Sequence, residues 1–434
     1  MTSSHATVST DELSHTSRIK AIVAGSAGNL IEWYGFFVYA LTALYFSGSF
    51  FPKSSEMIQL IATSAIFAVG FFFRPVGGWY FGRFADRNGR QAAMVVSVLL
   101  MGLGSLMIAV LPTYAQIGVF APILLLLSRI IQGFSTGGQY GTAATYLSEI
   151  AGKNRRGFYS SFQYVTLICG QLLATALIIL LSHILSPDAM KSYGWRIAFL
   201  VGAIGAGTIL LFRHAMHETS TAATRSKNAG KIGELKKHIP ACLTVAGLTA
   251  GGSLSFYTFT TYMQKYLVGT THLSKDTANN IMLGALTIFM CLQPIVGSLA
   301  DKVGRRNILM TFAILGTLFT LPILAAIAHA NSPLVAFGLV MAGLVINTFY
   351  TAVSGLFKAE LFPMHVRALG VGLSYGIANA IFGGTAENVA LGFKAANHEH
   401  YFYWYVTVIC AISVVTAIFM RDTRKFNPLD VPTE

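Results

Sequence analysis

One arginine stands where lipid should be. In "VFAPILLLLSRIIQGFSTGGQYGTAATYL", Arg129 is the single charge in a run otherwise apolar or neutral. A guanidinium at the centre of a spanning helix costs at least ~2.5–3.5 kcal/mol on insertion scales, so it must be matched by a function or a partner. Its planar fork suits bidentate capture of a carboxylate. Glu32, in "NLIEWYGFF", is an acid in an equally apolar setting. At 1.5 Å per residue, Arg129 lies ~15 Å from one end of its apolar segment and Glu32 ~18 Å from the opposite end of its own, so both reach similar depth. An acid and a base buried at one depth predict a pair, because each alone would be costly. Protonation of Glu32 would then free Arg129 for an anion, which loads proton and anion together. Glu387, in "GGTAENVA", is a second intramembrane acid and a weaker coupling candidate.

Chemistry of other kinds finds no residues to carry it. The HExxH, GxSxG and P-loop patterns are absent, and His183, His214, His217 and His238 fall near segment ends or in a linker. Cys169, Cys242, Cys291 and Cys410 lie in apolar segments without CxxC spacing, so neither disulfides nor a thiolate metal site is expected. The chain is read as a non-enzyme with no cofactor and no metal.

The elements that position these charges follow from composition. Of 434 residues, 54% are hydrophobic and 11% charged, less than half the charge usual for a soluble domain. About 20 apolar residues cross a bilayer, which predicts an all-α membrane protein with 12 transmembrane helices, over 20–46, 57–81, 92–112, 119–148, 157–185, 195–212, 239–267, 278–299, 308–328, 334–357, 368–393 and 402–420. One set of short loops carries Arg83, Arg87, Arg90, Lys153, Arg155, Arg156, Lys302, Arg305 and Arg306, and the opposite loops carry scattered lysines such as Lys53, Lys191 and Lys275. The positive-inside rule therefore puts both termini in the cytoplasm. The net charge of +13 is accounted for by this topology, and no nucleic acid partner is needed. The domain reading is a disordered tail over 1–17 without signal-peptide layout, a six-helix bundle over 18–212, a cytoplasmic linker over 213–238, a second bundle over 239–420 and a tail over 421–434.

The two bundles repeat each other. "GRFADRNGR" gives Gly82, Asp86 and Arg90; "GSLADKVGR" gives Gly297, Asp301 and Arg305 at the same spacing. After the fourth and tenth segments, Glu149 and Arg156 stand seven residues apart, as do Glu360 and Arg367. Same-orientation halves of six spans describe a parallel repeat, the architecture of carriers that rock about a midplane site. The eight charges Asp86, Arg90, Glu149, Arg156, Asp301, Arg305, Glu360 and Arg367 are read as a two-state latch closing the inner side. Glycines spaced by four, such as Gly78 and Gly82 or Gly133 and Gly137, are read as close-packing surfaces.

"GRFADRNGR", its second copy and "RIIQG" resemble signatures of the major facilitator superfamily. Longer strings, among them "GNLIEWY", "FRPVGGWYFGRFAD", "GFYSSFQYVTLICGQLLA" and "VRALGVGLSYGIANAIFGGTAE", resemble its metabolite:proton symporter branch from about Arg18 to Arg421. The resemblance implies the major facilitator fold and alternating access, with the first, fourth, seventh and tenth helices lining the cavity. It also implies import of a dicarboxylate such as α-ketoglutarate with protons across the inner membrane, by a monomer whose partners are the organic anion, protons and the lipid bilayer. Polar residues at helical spacing support such a cavity: Asn347, Thr351, Ser354 and Lys358; Ser253, Tyr257, Thr261 and Gln264; Tyr164 and Gln171. Arg129, Tyr257, Gln163, Asn347 and Arg74 are the candidate substrate contacts, and Glu32 the coupling acid. Arg74, Lys265 and Lys358 fall near segment ends, where long cationic side chains snorkel to the interface. Where the branch usually carries acids, this chain has Gly35 and Gln139. Their loss makes a facilitator or exchanger of another organic anion the alternative.

Overall fold

The computed structural model describes residues 15–52, 56–151, 155–212, 230–423 and 429. Among these, ten helices are long and apolar enough to cross a membrane: Ile19–Phe50, Ile61–Asn88, Arg90–Val110, Phe120–Ile150, Arg156–Ile184, Ile232–Gly269, Lys275–Val303, Arg305–Ala328, Pro333–Glu360 and Glu399–Phe419. Two more segments expected to cross are helical as well. One is Trp195–Phe212; the other is an interrupted helix over 367–395. Helices are what a bilayer permits here, since every backbone N–H and C=O must be satisfied within its own segment.

The expected boundaries shift in places. The first helix begins at His15, inside the segment read as a tail, while 1–14 lies outside the described residues. Most of the linker, 213–229, also lies outside them. Its end is folded: Ile232–Leu235 forms a helical turn with Leu235 buried, and the Gly230 amide donates to the His365 carbonyl at 2.9 Å.

The repeat is visible in the backbone. Gly89 ends the helix Arg74–Asn88 at φ 110°, and Gly304 ends Lys275–Val303 at φ 97°. A side chain is strained in that region and glycine is not. In each copy the next helix starts at the following arginine, Arg90 or Arg305, so the motif glycine makes the corner and the arginine opens the return.

Within the first half, the 15–50 helix packs on 156–184, and 90–110 on 195–212; within the second, 305–328 packs on 399–419. Between the halves, 156–184 lies along 275–303, and 74–88 along 367–378. Helices near the centre are irregular. Phe73 interrupts the second helix just before Pro75, whose missing N–H cannot continue the ladder. The 333–360 helix breaks at Ala352–Val353, and five-residue π segments occupy Thr258–Tyr262 and Asn379–Gly383. Such π segments recur at functional sites.

Candidate functional site

The centre of the molecule holds two cations, one from each half. Arg74 is fully buried rather than snorkelling, which corrects the sequence expectation. The interruption at Phe73 turns its guanidinium onto aromatic rings, with its carbon 3.8 Å from the Phe71 centroid, 4.4 Å from Phe36 and 5.4 Å from Trp33. Its Nη1 donates to the Tyr257 hydroxyl of the other half at 3.3 Å, and its Nε and Nη2 have no hydrogen-bond partner.

Lys358 is the second. It too was expected at a segment end, and it is fully buried. Its Nζ donates to Ser354 at 2.6 Å, to the Tyr140 hydroxyl at 2.7 Å and to the Tyr350 hydroxyl at 3.2 Å. The break at Ala352–Val353 lets the short helix Ser354–Glu360 bring this lysine under a roof of rings. Tyr375 lies 4.5 Å from Nζ and stacks on Tyr140, with centroids 3.5 Å apart. Sequence periodicity counted Lys358 from the end of a continuous helix, and a break in that helix is what spacing does not reveal.

Arg129 is buried as expected but not paired with Glu32, which is a second correction. Its Nη1 donates to Gln132 at 2.5 Å, and its carbon sits over Tyr39, Phe67 and Phe36 at 4.4, 5.0 and 5.3 Å. Its Nε and Nη2 lack hydrogen-bond partners. Rings of the first half thus close it in, where a water-accessible vestibule was expected. Glu32 accepts a hydrogen bond from Ser135 at 2.8 Å, its other oxygen is unpartnered, and Arg74 is the guanidinium within electrostatic reach of it. The sequence pattern did not show which way each side chain turns.

Gln163 and Asn347 are buried, each with an unpartnered amide oxygen. The Gln163 Nε2 donates to the Tyr140 carbonyl at 3.3 Å and the Asn347 Nδ2 to the Gly343 carbonyl at 3.0 Å. The acid-replacing residues are also built in: Gly35 faces Met101 and Ser105, and Gln139 accepts from Ser97 at 2.6 Å. Glu387 pairs instead with Lys265 at the far end of the second half.

The eight motif charges meet on the arginine-rich face. Asp86 binds Arg90 at 2.7 Å and accepts the Ala368 and Leu369 amides, at 3.2 and 3.0 Å, from the start of the 367–378 helix in the other half. Asp301 accepts the Gly157 and Phe158 amides, at 2.7 and 3.1 Å, from the start of the 156–184 helix. Each acid therefore caps a helix N-terminus of the opposite half, where free amides and the dipole favour a carboxylate. Glu149 bridges Arg90 at 3.3 Å and Arg367 at 2.8 Å, joining the halves. Arg305 lies 3.3 Å from both Asp301 and Glu360. Arg156 donates to the Leu429 carbonyl, and Thr423 to Glu360 at 2.8 Å. The caps were not foreseen, because a backbone amide leaves no mark in a side-chain motif.

The chain is similar to known proteins. The chain matches the family described as Major Facilitator Superfamily over residues 25–387 and 245–434. It is 51% identical over 409 residues to the alpha-ketoglutarate permease of Escherichia coli (strain K12), covering 94% of this chain and 95% of that one. It is 32% identical to the citrate-proton symporter of Klebsiella pneumoniae, over 85% of this chain and 83% of the relative. Among solved structures, the proton:xylose symporter XylE bound to 6-bromo-6-deoxy-D-glucose superposes with a TM-score of 0.77 at 16% identity, covering 95% and 96% of the two chains. That likeness bears on the fold. These relatives are permeases and symporters rather than enzymes, and the chain belongs to the major facilitator superfamily.

Proposed function

We propose that this protein is a secondary active transporter that imports a dicarboxylate such as α-ketoglutarate with protons across the inner membrane by alternating access. Both termini and the motif charges would face the cytoplasm. The observation that carries this reading is the central charge balance. Apart from the eight motif charges, the buried ionisable cations and carboxylates among the described residues are Arg74, Arg129 and Lys358 against Glu32. Positive charge is in excess whether Glu32 is ionised or protonated, by two charges or by three, which suits an anion carrying more than one negative charge. Buried cations without counter-charges are costly, and a substrate carrying the missing charge offsets that cost.

Arg74 and Lys358 take the two carboxylates, one from each half, so that the bound anion draws the halves together. Arg129 supplies positive potential from behind the Phe36, Tyr39 and Phe67 rings. Tyr257, Gln163 and Asn347 present hydroxyl and amide groups to the same centre. Glu32 accepts the coupled proton: ionised, it offsets Arg74, and protonated, it leaves Arg74 to the substrate. The relative named alpha-ketoglutarate permease supports the substrate, and that named citrate-proton symporter supports proton coupling. Gly35 and Gln139 favour the alternative, a facilitator or exchanger, since neither titrates.

Uptake of labelled α-ketoglutarate into proteoliposomes tests the reading. Accumulation should require an inwardly directed proton gradient and should fall in the presence of other dicarboxylates. Glu32→Gln should abolish the response to the gradient while retaining exchange of substrate. A gradient-dependent Glu32→Gln removes Glu32 from coupling, and gradient-independent wild-type uptake replaces symport with facilitation.

A further inference from the structure

Asn379 was singled out by no motif, and it is the polar side chain at the centre with neither end of its amide bonded. It is fully buried, and both Oδ1 and Nδ2 lack hydrogen-bond partners among the described residues. Buried amides are nearly always satisfied, and each unmet group costs about 1–3 kcal/mol. Asn379 also opens the π segment Asn379–Gly383, an irregularity that changes where its side chain is aimed.

Its surroundings are those of the two cations. A methyl carbon placed on Gly383 would lie 2.6 Å from the Asn379 Oδ1 and 2.8 Å from the Tyr257 ring, so the amide and that ring face one point. Tyr257 is the residue that receives Arg74. The same stretch of helix runs beside Arg74: a Cβ on Gly376 would meet Pro75 at 3.0 Å, and one on Gly384 would meet Phe71 at 2.5 Å. Four residues before Asn379, on the same helix face, Tyr375 covers Lys358. One face of one helix therefore presents a ring at Lys358 and, ~6 Å along the axis, an unbonded amide beside the tyrosine that receives Arg74.

We infer that Asn379 is a specificity-determining residue whose amide binds the oxygen on carbon 2 of the transported carboxylate, beside the carboxylate held by Arg74. The inference rests on the anion-transport reading above. With a 2-oxo acid, Nδ2 donates to the keto oxygen. With a 2-hydroxy acid, Oδ1 accepts from the hydroxyl. An acid with only hydrogens at carbon 2 leaves both ends of the amide unbonded and is disfavoured. A site built to bond a polar group rejects the analogue lacking it far better than it rejects a change of size.

The test is equilibrium competition on the purified full-length transporter, using acids in pairs that differ at carbon 2: α-ketoglutarate and glutarate, malate and succinate, lactate and propionate. Wild type should prefer the oxygenated member by about tenfold or more, the size of one hydrogen bond to a buried amide. In Asn379→Leu and Asn379→Ala the preference should collapse towards unity, through weaker binding of the oxygenated member and unchanged or tighter binding of the bare one. A preserved ratio in either variant, or equal weakening of both members, overturns the assignment, because a purely structural asparagine would affect the two alike. Equal binding of both members by wild type overturns it without any variant having to fold. If wild type takes lactate and propionate but no dicarboxylate, the dicarboxylate reading fails, and the third pair still reports on Asn379.

Discussion

Arg74 and Lys358 carry their charge in different company, and that difference predicts different failures. Lys358 is held by three hydroxyls and ringed by aromatic faces, so its ammonium is largely satisfied before any anion arrives. Arg74 has two nitrogens with no bond. A charge-assisted hydrogen bond contributes about 1.5–3 kcal/mol. Arg74→Ala should therefore weaken α-ketoglutarate binding by about 10- to 100-fold. Arg74→Lys should recover only part, because a point charge cannot reproduce a bidentate fork. Lys358→Ala should lower affinity and, in addition, thermal stability, since Tyr140, Tyr350 and Ser354 lose their common partner. Titration calorimetry and melting curves on the same preparations separate the two effects. Equal loss of affinity without loss of stability at Lys358 would contradict the preassembled cage. The residue types at this site were legible in the sequence. Direction was not: depth follows from counting residues at a fixed rise, whereas which neighbour a long side chain reaches depends on helix rotation and on breaks such as those at Phe73 and Val353.

At the scale of helices, the spacing of glycines was a better guide than the spacing of charges. Close approach was expected at Gly78, Gly82, Gly133 and Gly137, and each lies against backbone: Gly133 and Gly137 against Gly70 and Arg74 within the first half, Gly78 and Gly82 against Gly372 and Leu369 across the halves. Small residues are legible because their effect is local and steric. A Cβ on Gly78 would lie 2.5 Å from the Gly372 carbonyl oxygen, and backbone on both sides leaves nothing free to rotate away. Gly78→Ala should therefore hold the halves apart on the arginine-rich face while leaving each half folded. Spin labels at Asn88 and Lys302, in a background without the native cysteines, should report a longer and broader distance than in otherwise wild-type protein, with uptake reduced at least severalfold. An unchanged distance would mean that the 74–88 and 367–378 helices slide to accommodate the methyl. The π segments were not legible in the same way, since no residue in "YTFTTYM" or "ANAIFGG" demands one.

For the whole molecule, the central question is what holds one side shut while the other opens. The two copies of the loop motif give related answers. Asp86 caps the 367–378 helix from the first half, and Asp301 caps the 156–184 helix from the second, each with two backbone amides. Glu149 adds an ion pair across the halves to Arg367. None of these groups touches Arg74, Lys358 or Tyr257 in the described contacts, so weakening them changes the balance between states without altering the substrate's own partners. Charge-assisted bonds of about 1.5–3 kcal/mol each bias the closed state, and removing one shifts the population by the same amount. Asp86→Asn should lower the uptake rate about tenfold or more, while equilibrium binding of α-ketoglutarate in detergent, where either state can present the central site, stays within about twofold. A selective loss of binding affinity would contradict the latch. Because Asp86 and Asp301 share no partner among the described contacts, their effects on the closed-state population should add to within about 0.5 kcal/mol in the double asparagine variant. Marked non-additivity in that cycle would mean that the two caps open as one unit, with the repeat acting as a single cooperative gate rather than as two independent clasps.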